Sequence, residues 1–242
     1  MKKSTFQGKT MGHVQVIALG GSLLRPEEER KGEWLNELVM MTQRVIAQEH
    51  RVIFVIGGGA PAREHIEMAR TFITASDRLD LIGIAATRLN ACMLQQIFIA
   101  QGLDVSDQVP TTVQLAAECI SSHSIVVMGG TIPGQTTDTV AVEVAVEVQA
   151  SHCIVATNVS HVYTKDPRVH PDAQPIEKMT LEELSHLCGP SLEPGQSTVV
   201  DPVAIRRAMD GNMRISVLDG RDANRLRMAM NHQPFIGTVI EP

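Results

Sequence analysis

Three stretches of this chain hold residues suited to capturing an anion. The longest is Met128-Gly129-Gly130-Thr131-Ile132-Pro133-Gly134-Gln135-Thr136-Thr137-Asp138. Glycines let backbone approach a ligand closely, because no Cβ intervenes. Threonine hydroxyls and the free N–H groups of a helix start would converge there, and such a point favours negative charge. Gly20-Gly21-Ser22 and Gly57-Gly58-Gly59 repeat the theme. The chemistry suggested is the holding of a phosphate-bearing substrate.

Other readings compete at each loop. From Gly129 through Gly134 to Thr136 the spacing approaches a G-x-x-x-x-G-K-[ST] phosphate loop, but Gln135 stands at the lysine position. Gly57 to Ala62 mimics a G-x-G-x-x-A dinucleotide fingerprint. That motif needs the first βαβ unit and an acid closing the next strand. Here it follows the second strand, and Asp77 and Asp80 lie at a helix start. Any one loop also reads as a tight connection whose glycines and threonines serve turn geometry.

What positions these loops is an alternation of short apolar runs and longer helical patterns. His13–Leu19, Arg51–Ile56, Ile125–Met128, Cys153–Thr157, Arg214–Leu218 and Ile236–Ile240 read as strands, with a further short one about Val105. Helices are expected from about Trp34 to Glu49, after Gly59 with Pro61 in the first turn, and from Asp80 to Gln101 with Gly102 as the stop. Further helices are expected over Thr111–Ser121, Leu181–Leu187, Asp201–Met209 and Ala223–Met230. Val140 to Val148 alternates valine with Ala and Glu, a strand pattern, yet Thr136-Thr137-Asp138 before it is a good helix cap and Glu143 and Glu147 are helically spaced. It is read as a helix. Asp166 to Gln174 and Gly189 to Gly195 are expected loops.

The fold class is therefore α/β: a three-layer αβα sandwich with a mostly parallel central sheet. In such a sheet the loops after strand C-termini share one edge, where ligands bind. Residues 1–242 are expected to form one domain, with two lobes over about 13–150 and about 151–242 and a flexible extension over 1–12.

Composition narrows the function. Net charge −6 and seven aromatic residues in 242 argue against a nucleic-acid partner. Four cysteines without a C-x-x-C pair give no zinc spacing and suggest reduced thiols. The basic N-terminus lacks a signal-peptide apolar region, and no apolar run is expected to reach membrane-spanning length. A cytoplasmic protein is expected.

The residues resemble those of one family. Leu19-Gly20-Gly21-Ser22, Ile56-Gly57-Gly58-Gly59 with Ala62-Arg63, Ile82-Gly83-Ile84 with Thr87-Arg88 and Asn90-Ala91, and the Met128–Asp138 loop follow in order. So do Thr157-Asn158-Val159, Val162-Tyr163-Thr164-x-Asp166-Pro167, Val200-Asp201-Pro202-x-Ala204 and Gly237-Thr238-x-Ile240-Glu241-Pro242. From Val14 to Pro242 the chain resembles the amino-acid-kinase superfamily, and within it the archaeal-type uridylate (UMP) kinases.

The resemblance implies transfer of the ATP γ-phosphoryl to UMP, with an acceptor lobe over about 13–150 and an ATP lobe over about 151–242, Mg²⁺ carried by the nucleotide, no separate metal site, and a homo-oligomer, a hexamer. It implies that Gly21, Ser22, Gly59 and Arg63 meet the ATP phosphates and that Thr157, Tyr163 and Asp166 line the adenosine pocket. Gly58, Asp80, Thr131, Ile132, Pro133, Gly134, Gln135, Thr136 and Thr137 would hold UMP, Asp80 through the ribose hydroxyls. Arg63 and Asp138 are the catalytic candidates. Arg63 is a permanent charged fork suited to phosphate; Asp138 would orient cations around the transferred group, or serve as a plain helix cap.

Two departures stand out. Many members carry a lysine two residues before the first glycine pair, where this chain has Ala18, so the charge must come from Mg²⁺, Arg63, Arg88, Lys165 or backbone dipoles. The family's Asn-Val-Asp-Gly-Val-Tyr appears as Asn158-Val159-Ser160-His161-Val162-Tyr163, awkward if His161 needs positive φ. Two alternatives stay open. One is a related small-molecule phosphotransferase, although isopentenyl-phosphate kinases carry a histidine where this chain has Ala60-Pro61-Ala62-Arg63. The other is a non-catalytic nucleotide- or oxyanion-binding homologue.

Overall fold

The computed structural model describes residues 13–24, 31–189 and 199–242. The extension expected over 1–12 and most of the loop expected over Gly189–Gly195 lie outside these residues. In chain order the elements are β1 (Val14–Leu19), α1 (Lys31–Ala47), β2 (Arg51–Ile56), α2 (Gly59–Arg70), α3 (Ser76–Ala100), α4 (Val113–Ser122) and β3 (Ile125–Met128). Then come α5 (Thr137–Glu147), β4 (Cys153–Thr157), β5 (Val162–Tyr163), β6 (Pro175–Ile176), β7 (Lys178–Thr180) and α6 (Leu181–Cys188). The chain closes with α7 (Pro202–Asp210), β8 (Ile215–Asp219), α8 (Ala223–Met230) and β9 (Gly237–Glu241).

Seven strands pair in the order β3-β2-β1-β4-β8-β9-β7. The first five are parallel; β9 runs antiparallel to β8, and β7 parallel to β9. The order departs in opposite directions from β1 and β4, so the junction between them is a switch point, where open α/β sheets bind ligands.

Strand alternation sorts side chains into two cores. Val16 and Ala18, Ile53 and Val55, and Cys153 and Val155 pack with residues of α4, α5, α6 and α7. Ile17 and Leu19, Phe54 and Ile56, and Ile154 and Ala156 pack with α1, α3 and α8. Each fully buried Ile, Leu or Phe contributes about 1.5–3 kcal/mol, so both faces must be covered, and the three layers follow.

The valine-rich segment is helix α5, with Thr139 to Val142, Val144 and Ala145 all buried. A helix enclosed on most sides needs no polar stripe and so shows no helical period. The segment about Val105 makes only a one-residue bridge to Ile125. The β5–β6 pair and β7 leave no signal in the sequence, because strands of two or three residues carry no readable alternation. α3 corrects the expectation about apolar runs: it is long and apolar enough, by length and composition, to cross a membrane. In the fold it packs on β2 and β3, burying Leu79, Ile84, Ala91, Leu94 and Phe98 and leaving Leu81, Leu89, Met93 and Ile99 exposed.

Candidate active site

The three glycine loops leave β1, β2 and β3 at the same, carboxyl edge of the sheet. The first two touch. A Cβ on Gly21 would fall 2.3 Å from the Gly57 carbonyl oxygen and 2.4 Å from the Gly59 nitrogen, and Gly59 itself has φ +66°. No other residue allows that approach.

The contact closes a cleft of about 300 Å³ at the switch point. Gly21 and Ser22 form one wall, Gly58 and Gly59 the next, and Thr137 and Asp138 at the start of α5 the third. Thr157 and Asn158, after β4, complete it. Arg63, one turn into α2, also lines the cleft; it is exposed and has no carboxylate partner among the described residues. Ala18 is 2% exposed in the core shared with α5, so nothing from β1 can supply a side-chain charge here.

A second cavity of about 570 Å³ adjoins the first and shares Thr157, Asn158 and Val199 with it. Tyr163 and Asp166 line it. The Tyr163 hydroxyl bonds Ser160 Oγ at 2.9 Å, and His161 Nδ1 bonds the same Oγ at 3.0 Å. Positive φ among described non-glycine residues falls at Glu49, Gln149, Asn212 and His232 only, so His161 sits without backbone strain. The Asp166 carboxylate accepts from Arg168 N, Nε and Nη2 at 2.8–3.0 Å, and Lys165 is paired with Asp172 at 2.8 Å. Lys165 is thus placed away from the Gly21–Gly59 cleft, which leaves it a poor replacement for the missing strand charge.

The residues expected to hold the acceptor do not all line the cleft. Thr131 to Thr136 form a separate loop beside it, with Ile132, Pro133 and Gly134 exposed. Helix α3 grips this loop along one face. Asp80 Oδ2 accepts from Gly134 N at 2.8 Å, Thr87 Oγ1 accepts from Gly130 N at 2.7 Å, and Arg88 donates to the Gly130 and Thr131 carbonyls at 3.1 Å each. Asn90 Nδ2 reaches the Gly57 carbonyl at 2.8 Å and so joins the second glycine loop to the same helix. The helical spacing of 80, 87 and 88 was the signal for this grip. Arg88 is therefore spent on loop carbonyls.

The α5 cap is Thr136, whose Oγ1 accepts from Thr139 N at 3.1 Å, so the cap reading of Asp138 is replaced. Asp201, at the start of α7, joins both helix starts. It is 7% exposed, caps α7 by accepting from Val203 N and Ala204 N at 2.9 and 3.0 Å, and accepts from the hydroxyls of Thr139, at 2.9 Å, and Thr136.

Burial, and then the Asp201 carboxylate, push the Asp138 pKa up to about 7 from 3.8. Ionised Asp138 therefore destabilises the ligand-free fold progressively as pH rises from about 4 to about 7. His152 acts in the opposite sense. Burial, with His232 and Arg214 nearby, lowers it from 6.5 to about 4, so its contribution is lost as pH falls through that window. Asp138→Asn should expose the histidine slope. Between pH 7 and pH 5 the variant should lose roughly 2 kcal/mol, or about 4–8 °C in melting temperature, where the parent changes little. A variant with a flat melting profile there would exclude a buried neutral His152.

The amino acid kinase family pattern matches residues 13–219. A uridylate kinase of Methanococcus aeolicus is 37% identical over 230 residues, 94% of this chain and 99% of that protein. A uridylate kinase of Methanococcus maripaludis is 38% identical over 229 residues, with the same coverage of each. The crystal structure of uridylate kinase from Archaeoglobus fulgidus superposes with a TM-score of 0.79 at 34% identity, covering 94% of this chain and 99% of that one.

Proposed function

The chain belongs to the amino acid kinase family, and from that premise we propose that it transfers the γ-phosphoryl group of ATP to UMP, giving ADP and UDP. One observation carries the chemistry: the cleft of Gly21, Gly59, Arg63 and Asp138 opens at Thr157 and Asn158 into the larger cavity beside Tyr163. Adenosine would lie against Tyr163, Thr157 and the Asp166 segment, and its phosphates would reach Gly21, Ser22, Gly59 and Arg63. The identity of the acceptor is supported by the uridylate kinase relatives.

Direct in-line transfer needs positioning and charge neutralisation rather than a covalent enzyme group. Arg63 supplies charge to the transferred group, while Gly58, Asp80 and Thr131–Thr137 hold the acceptor. Among the described residues no cluster of three His, Cys, Asp or Glu is disposed to hold a metal. Asp138, crowded by Asp201, nevertheless fits a cation, which would draw off its proton. Mg²⁺ carried by ATP would neutralise phosphate charge beside that carboxylate. The enzyme is proposed to work in the cytoplasm as a homo-oligomer, a hexamer as the family resemblance implies; the exposed apolar face of α3 supports assembly, and sedimentation analysis tests it.

A coupled assay with ATP and each of UMP, CMP, dTMP, AMP and GMP should rank UMP first. Comparable turnover of a purine monophosphate or of isopentenyl phosphate would overturn the assignment, and no turnover at all would favour a binding protein. Asp80→Asn should raise the KM for UMP about 10-fold or more and leave that for ATP nearly unchanged. Charge-assisted bonds contribute about 1.5–3 kcal/mol, and Asp80 also pins Gly134. Equal effects on both substrates would make Asp80 purely structural.

A further inference from the structure

The strands beside the larger cavity are too short to hold themselves. β5 and β6 have two residues each and pair antiparallel, Val162 with Ile176 and Tyr163 with Pro175. A two-stranded ribbon is marginal on its own even at greater length, and Pro175 brings no N–H to the pairing. Yet Val162 to Arg168, which comprise β5 and the turn after it, run unbroken along the wall of the cavity of about 570 Å³. The Tyr163 hydroxyl bonds Ser160 of the same segment, so it does not tie that wall to the main sheet.

Thr238 of β9 makes the tie from behind. It is fully buried and does not line the cavity. Its hydroxyl oxygen accepts from Val162 N at 2.8 Å and donates to the Ile176 carbonyl at 2.5 Å. A backbone N–H only donates and a carbonyl only accepts, so the hydroxyl's one proton goes to Ile176 and a lone pair to Val162. One side chain of the main sheet thus fastens both strands of the pair, at the two residues that face each other. The neighbouring backbone tie, Val239 N to the Glu177 carbonyl at 2.9 Å, holds the chain beyond β6 and leaves β5 to Thr238.

We propose that Thr238 is a positioning residue for the nucleotide site: by pinning Val162 and Ile176 it sets where the Tyr163 ring stands in the cavity, without touching the nucleotide itself. The inference rests on the reading of that cavity as the adenosine pocket.

Thr238→Val keeps the side-chain shape and removes both bonds, leaving Val162 N and the Ile176 carbonyl unpaired. In the full chain it should raise the KM for ATP about 10-fold, the order of one hydrogen bond, while the KM for UMP stays within twofold. Thr238→Ser restores the hydroxyl and should return the KM for ATP most of the way to that of the parent. Thr42→Val is the control for general loosening. That hydroxyl is also fully buried and donates to the Leu38 carbonyl at 2.8 Å within α1, and Thr42 lines neither cavity. Its loss should lower the melting temperature and leave both KM values alone. A KM for ATP within twofold of the parent in Thr238→Val, an equal rise in both KM values, or a serine variant as impaired as the valine one overturns the assignment. Should the valine variant not fold, Thr238→Cys, with a weak thiol donor in the same place, carries the same expectation and the same limits. If the parent chain phosphorylates nothing, the failure lies with the proposed function. Tyr163 is the only tyrosine, so ring-¹³C-tyrosine NMR gives one set of signals. These should shift in Thr238→Val and return in Thr238→Ser, and unchanged signals in the valine variant overturn the positioning role whatever the reaction.

Discussion

Replacing Arg63 with alanine should lower kcat by roughly 10²–10³, the range seen when one donor to developing negative charge is removed. The other side-chain candidates are buried or already engaged. Ala18 is buried, Arg88 is bonded to two loop carbonyls, and Lys165 is paired with Asp172 in the neighbouring cavity. Arg63 alone among these candidates has no bonded partner among the described residues, and it lies on the cleft wall, one turn from the α2 N-terminus. Side chains on a helix lean toward its N-terminus, and here that direction leads to Gly59 and Gly21, where phosphate oxygens would gather. Folding should be nearly unaffected, since Arg63 is exposed. Arg63→Lys should recover part of the loss, because a point charge replaces the fork without its paired donors. Steady-state kinetics and thermal unfolding on the same preparation decide the matter. If kcat holds within about threefold while only the KM for ATP rises, Arg63 binds ground-state phosphate and stabilisation of the transition state lies with backbone dipoles and Mg²⁺.

Asp201→Ala should have the largest effect on stability. One buried carboxylate caps α7 and receives the hydroxyls of Thr136 and Thr139, so it ties the α5 cap and the Thr131–Thr136 loop to the helix that follows Val199. Loss of a helix cap costs about 0.5–2 kcal/mol. Leaving the fully buried Thr139 hydroxyl without its partner costs about 1–3 kcal/mol more. A chain of this length should then melt roughly 5–15 °C lower, and the KM for UMP should rise because Thr136 is freed. Asp201→Asn keeps an acceptor oxygen for the cap and should lose much less. Removing the negative charge should also bring the Asp138 carboxyl back toward its ordinary range, since Asp201 is the second cause of its shift. Equal melting temperatures for the Ala and Asn variants would show that the carboxylate is not the tether.

Much of this was legible in the amino-acid order. Short apolar runs ending in Gly20, Gly57 and Gly129 determine strands that open into glycine loops, because only glycine lets Gly21 and Gly59 meet backbone to backbone. Thr136 before Val140 and Pro202 after Asp201 determine where α5 and α7 begin, since caps are local devices acting within one turn. The alternation of elements determines a parallel sheet covered on both faces. Tertiary structure decided the rest, for the reason that each deciding contact joins residues far apart in the chain. β5, β6 and β7 exist only through pairing partners elsewhere. The true environment of Asp138 depends on Asp201, whose position follows from the packing of α7 on α5. Which cation remains free for chemistry is likewise a tertiary outcome. Arg63, Arg88 and Lys165 are equivalent charges in a sequence, and only the folded chain shows two of them already bonded.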